Sequence, residues 1–222
     1  MEKNYFTTIR NRQETRLNGS QKSMQTSQLM KLFEDELQVI LWAEKALTKS
    51  IPLMIKNAAS MELIEVLSLH LEETDEQVER LAQIFAYINK KPVVKICEKM
   101  YGLIKETEEI IGLFEAGAAR DAGIILTAQK VEHYEIATYN TLRQFAQKLG
   151  LTDVDELLKA TLKEEKAANK QLSEVVIRAI NIKEDIVQIL NNINYDNEKL
   201  SNTAFTSSSN FYNAKLQQSE YQ

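Results

Sequence analysis

Two glutamates, Glu132 and Glu135, stand on the buried side of a helix, and few folds tolerate that arrangement. In the stretch Ala128–Tyr139, apolar or small residues recur at steps of three and four: Ile125, Ala128, Ile136, Tyr139 and Leu142. This is the period of one helix face turned toward a core. Both carboxylates share that face. A buried ionised carboxylate is costly unless its charge is compensated, and two of them one turn apart also repel. Either the pair leans out to water or a cation sits between them.

The other long stretches repeat the pattern. A helix is expected over about Ser27–Ala59, with the stripe Leu29, Phe33, Leu37, Ile40, Glu44, Leu47 and Ile51. Pro52 should kink or split it by removing one backbone hydrogen bond. A turn at Ala59–Ser60 leads to a second helix over about Met61–Asn89. Its stripe is Leu63, Leu67, His70, Thr74, Val78, Leu81, Phe85 and Ile88, with His70, Glu73 and Gln77 along one side. Glu72, Asp75, Glu76, Glu79 and Arg80 read as a solvated face. Lys90-Lys91-Pro92 closes this helix. A crossover with a shorter helix of its own (Met100, Leu103, Ile104, Thr107, Ile110, Ile111, Phe114) leads to a third long helix, about Arg120–Leu149, with Gly150 as its C-terminal stop. Thr152-Asp153 provides a start for the fourth, about Val154–Ile180, whose stripe is Leu158, Thr161, Glu165, Ala168, Leu172, Val175 and Ala179.

These elements describe an all-α fold: a ferritin-like four-helix bundle with a long crossover carrying an extra short helix, and flexible N- and C-terminal tails. Residues 1–26 read as a polar tail, 27–180 as the bundle, and 181–222 as a helix extension followed by an Asn-, Ser- and Gln-rich tail. The tails are where an unidentified partner would attach. With six Gly and two Pro in 222 residues, helix is favoured over sheet. A net charge of −5 leaves no general nucleic-acid footprint. The single cysteine, Cys97, rules out a disulfide framework and any four-cysteine metal site. No apolar run is long enough to span a bilayer, and the expected setting is the cytoplasm.

Each long helix contributes an inward carboxylate: Glu44, Glu73, Glu132 with Glu135, and Glu165. Glu44 and Glu73 are 29 residues apart, and Glu135 and Glu165 are 30 apart. Two helical hairpins of nearly equal span place these groups at similar depth, which is how such bundles build a dinuclear site. Oxygen donors suit iron or manganese, and two ions per chain would offset most of the clustered charge. His70, one turn before Glu73, is either a sixth ligand or a core-edge histidine bonded to a neighbour. Gln77 and Tyr139 either bond the ligand carboxylates or simply pack. His133 is rotated off the stripe, toward a groove or a subunit interface.

HLEETDEQVERL (His70–Leu81), CEKMYGLIKE (Cys97–Glu106), AARDAGIILTAQKVEHYEIATYNTL (Ala118–Leu142) and LLKATLKEEKAANKQL (Leu157–Leu172) resemble the YciE/YciF family of ferritin-like bacterial stress proteins. The resemblance runs from about Gln28 to Val176. It implies a rubrerythrin-like bundle, a di-iron site and a homodimer. One feature departs from the common di-iron pattern, in which a histidine follows a glutamate by three residues on two helices. Here Glu76 and Ala168 hold those positions, after Glu73 and Glu165. Two functional readings follow. One is a dimetal stress protein reacting with O2 or peroxide. The other is a metal-free helical scaffold that acts through oligomerisation or its tails.

Overall fold

The computed structural model describes residues 2–179, with side chains for 23–176. Five helices follow one another: α1 (Glu2–Asn57), α2 (Met61–Tyr87), α3 (Glu98–Leu113), α4 (Ala118–Leu149) and α5 (Thr152–Ala179). Among the described residues none is in a strand. No helix among them is long and apolar enough to cross a membrane.

The four long helices form a closed ring of neighbours: α1 on α2, α2 on α5, α5 on α4, and α4 on α1. Very short links join α1 to α2 and α4 to α5, so each pair folds back as a hairpin. The crossover brings α3 against α4 and α1. This is the expected bundle with its crossover helix. The core runs along the predicted stripes, with Phe33, Leu37, Ile40, Leu47, Leu63, Leu67, Leu81, Phe85, Leu142, Leu158 and Leu172 all buried.

Two joints set the register of the hairpins. At the α1–α2 tip, Ser60 caps α2 by accepting from Leu63 N. Asp121, from the first turn of α4, accepts from the backbone N–H groups of Ala59 and Ser60, both at 2.8 Å. At the α4–α5 tip, Gly150 takes the left-handed conformation (φ 74°) that a residue with a Cβ adopts only at a cost. Gly123 serves a different purpose, since a Cβ there would lie 2.4 Å from Ile110 Cγ2. A glycine lets α3 lie close on α4.

Four boundaries differ from the sequence reading. The first helix begins at Glu2, not near Ser27. Residues 2–26 have no Pro and one Gly, and a helix that is polar all round shows no apolar stripe to mark it. The helix also runs through Pro52 without a break. Pro52 is exposed and sits near the C-terminal end of α1, where one lost hydrogen bond is tolerated. Thr152 opens α5 without acting as its cap; the Leu151 carbonyl accepts the first helical N–H, from Asp155. Phe114, expected on the inner stripe of the crossover helix, falls just past the end of α3 and is exposed. The expected C-terminal extension and tail, 181–222, lie outside the described residues.

Candidate metal centre

Midway along the bundle the apolar core gives way to charge. His70 on α2, Glu132 and Glu135 on α4, and Glu165 on α5 each offer a donor atom, all within 4.8 Å of one another. Glu132, Glu135 and Glu165 are 0% exposed and His70 is 5% exposed. Glu44, from α1, is equally buried. The Tyr139 hydroxyl donates to its Oε1. Glu73 is half-buried at the margin and does not join the four. So the helices bring together four of the six expected ligands, set Glu44 beside them, and leave Glu73 at the rim.

The electrostatics of this pocket are unfavourable without a counter-charge. Burial, and then the charge of the neighbouring carboxylates, pushes the Glu44, Glu132 and Glu135 carboxyls well above the ordinary range. Glu165 rises to about 7, chiefly by burial, with the nearness of the polar groups of Glu132 and Gln77 holding it back. Burial alone pushes His70 down to about 4. His70 Nε2 lies 3.2 Å from Glu132 Oε1, but neither nitrogen of the ring makes a hydrogen bond. The ring is therefore neutral at neutral pH, and the 3.2 Å approach is not a salt bridge. Both carboxyl oxygens of Glu132, Glu135 and Glu165, and Oε2 of Glu44, also lack partners.

Buried polar atoms are nearly always satisfied, so a concentration of orphans in one spot calls for a missing partner. Oxygen donors with one neutral imidazole suit iron(II) and manganese(II). The residues present therefore fit the metal that the sequence suggested.

A second layer surrounds the cluster. Gln77, fully buried, donates from Nε2 to Glu164 Oε2 at 3.1 Å. Arg80 grips Glu164 with two N–H groups, at 2.7 and 3.0 Å, and reaches Thr161 Oγ1 at 2.7 Å. The sequence places Arg80 on the solvated face; its side chain is instead 14% exposed and turned to α5. The signal was available, because Arg80 follows Glu73 by seven residues and Gln77 by three, on the same helix face. Glu164 was hidden by its neighbour Glu165. Cys97 is buried, and its thiol lies 3.2 Å from the Tyr134 hydroxyl. His133 is exposed, off the buried stripe, with Nδ1 2.7 Å from the Gln129 carbonyl oxygen.

Comparison with known proteins agrees with this architecture. Protein YciF of Escherichia coli (strain K12) is 40% identical over 142 residues, which is 64% of this chain and 86% of that protein. The crystal structure of that E. coli stress protein superposes with a TM-score of 0.67 at 39% identity, covering 69% of this chain and 97% of that one. YcfI of Rhodopseudomonas palustris, provisionally termed a structural protein, is 43% identical with a TM-score of 0.64, covering 65% of this chain and 92% of that one. A dodecameric thioferritin from Bacteroides fragilis shares the fold at 16% identity, with a TM-score of 0.56 over 73% of this chain and 98% of its own. The bundle is thus ferritin-like, and its relatives include a stress protein. The profile of one family matches residues 28–184, and the chain belongs to it: the domain of unknown function DUF892, the family of YciF.

Proposed function

We propose that the protein is a stress-response protein whose bundle core holds about two iron or manganese ions per chain. The observation that supports this reading is the set of buried donors without partners: the carboxylate oxygens of Glu132, Glu135 and Glu165 and both nitrogens of His70. Glu132, Glu135, Glu165, His70 and Glu44 would hold the ions, with Glu73 bordering them. When bound, a reduced iron or manganese pair supplies electrons to O2 or peroxide. The chain's own residues keep the site dry and fixed. The Tyr139 hydroxyl orients Glu44, and Gln77 ties Glu164, next to Glu165, to α2. We place the protein in the cytoplasm as a homodimer; a lone, unpaired buried cysteine suits a reducing compartment.

The test is metal content by mass spectrometry, on protein stripped and then reloaded anaerobically with iron(II) or manganese(II). About two ions per chain are expected, with a clear loss in Glu135→Ala. A well-folded protein that takes up neither metal would refute the metal centre. A second reading, a metal-free scaffold, draws on one observation. Carboxyls with raised pKa values can stay protonated and neutral, so the cluster can persist without an ion.

A further inference from the structure

The four clustered side chains and Glu44 are almost fully buried, so an ion reaching them must pass between helices. The seams around the cluster differ in what they offer a cation. On the α4–α5 seam Gln129 Nε2 donates to Ser173 Oγ at 2.8 Å, an uncharged contact, and toward the hairpin tip Arg143 and Asp155 form a charge-matched pair at 2.9 Å. On the α3–α4 side Cys97 meets Tyr134, also uncharged, and at the exposed rim Lys130 pairs with Glu106. The α2–α5 seam is different. Its carboxylates run inward, from Glu76 (side chain 73% exposed) and Glu164 (23%) through half-buried Glu73 to buried Glu165. Glu73 lies on α2 between His70 in the cluster and Gln77, roughly one turn from each. Gln77 is fully buried, and its Oε1 has no partner. That orphaned acceptor sits on the seam, where a passing cation would find it.

Across the same seam lies a positive charge. Arg80 binds Glu164 through its two terminal guanidinium nitrogens and also reaches Thr161, so α2 and α5 are held together there. A bidentate pair of this kind is strong and geometrically fixed. It neutralises Glu164 and opposes an incoming cation.

We propose that the α2–α5 seam is the route by which a divalent cation reaches the buried cluster, with Glu73 as the carboxylate that carries it inward and the Arg80–Glu164 pair as the latch. This rests on the reading of the cluster as a metal centre. Glu73 thereby gains a role that differs from that of a resident ligand. It governs the rate of loading, not the number of ions held.

The probe is manganese(II), added anaerobically to the stripped full-length chain. Uptake is followed by loss of the aqueous manganese resonance, and release by a competing chelator. In Glu73→Gln, uptake and release should both slow about tenfold, the low end of what a focused charge contributes to an on-rate, with the same number of ions at saturation. Glu73→Asp should recover part of the rate. Arg80→Gln should speed both processes. Gln129→Leu, at the uncharged contact of the α4–α5 seam, should change neither. Wild-type rates in Glu73→Gln would overturn the route. So would fewer ions bound by that variant, which would make Glu73 a resident ligand, or slowing by Gln129→Leu. A folded wild-type protein that takes up no manganese at all would remove the metal centre and the route with it.

Discussion

Replacing Glu165 with Gln should stabilise the metal-free protein at pH 8, although it removes a buried group that fits its site. Glu165 is raised from 4.5 in the unfolded chain to about 7 in the fold. A group raised in this way contributes stability below its unfolded value and loses that contribution as pH climbs through its folded value. Each pKa unit is worth about 1.4 kcal/mol, so ionising Glu165 in place costs about 3 kcal/mol by pH 8 and under about 0.5 kcal/mol at pH 4.5. The amide is never charged and avoids that cost. For a chain of this size the gain corresponds to a rise of about 6–12 °C in Tm at pH 8, and little change at pH 4.5. A pH scan of the wild type alone would not show this. His70 is lowered from 6.5 to about 4, so its contribution is present above 6.5 and fades as pH falls through about 4. Over the same interval the two groups tilt stability in opposite directions by similar amounts. The difference between variant and wild type isolates Glu165. The assay is thermal and urea unfolding of chelator-treated protein at both pH values, with residual metal checked. A Glu165→Gln protein no more stable than wild type at pH 8 would refute the reasoning. With excess iron(II) or manganese(II) the order should reverse, because binding to the native state stabilises the wild type and not the variant.

Two further substitutions test the frame around the site. Asp121→Ala removes the acceptor for the N–H groups of Ala59 and Ser60 and should cost about 2–3 kcal/mol in urea unfolding. Asp121→Asn keeps one carbonyl acceptor and should recover part of that loss. Tyr139→Phe leaves Glu44 Oε1 without its donor inside the core and should cost about 1–3 kcal/mol in metal-free protein. An unchanged midpoint would mean that Glu44 finds another partner.

The helices were legible because each long one buries a single stripe, and burial at three- and four-residue steps leaves its mark on residue type. Leu63, Leu67, Leu81 and Phe85 could be read that way, and so could the breaks at Pro92 and Gly150. The polar N-terminal part of α1 could not, because its sequence carries no apolar stripe. The inward carboxylates were legible for the same reason as the core: Glu44, Glu132, Glu135 and Glu165 occupy stripe positions and are buried as completely as the leucines around them.

Helical periodicity gives the direction of a side chain to within the width of a stripe, and this is too coarse to separate His70 from Glu73. Both lie on the inner side of α2, three residues and about 100° per residue apart. Matching the hairpin spans fixes depth only to about a turn, since equal spacing in sequence leaves the rotation of each helix free. In the fold, α2 is rotated so that His70 enters the cluster and Glu73 is left at the α2–α5 seam. That rotation is held by contacts no local pattern announces, above all Arg80 and Gln77 on Glu164, more than eighty residues away in sequence. The inward position that made Glu73 look like a ligand in the sequence becomes, with α2 so rotated, a place where a carboxylate can meet solvent and site in turn. Its half-burial is thus the physical distinction between holding an ion and delivering one.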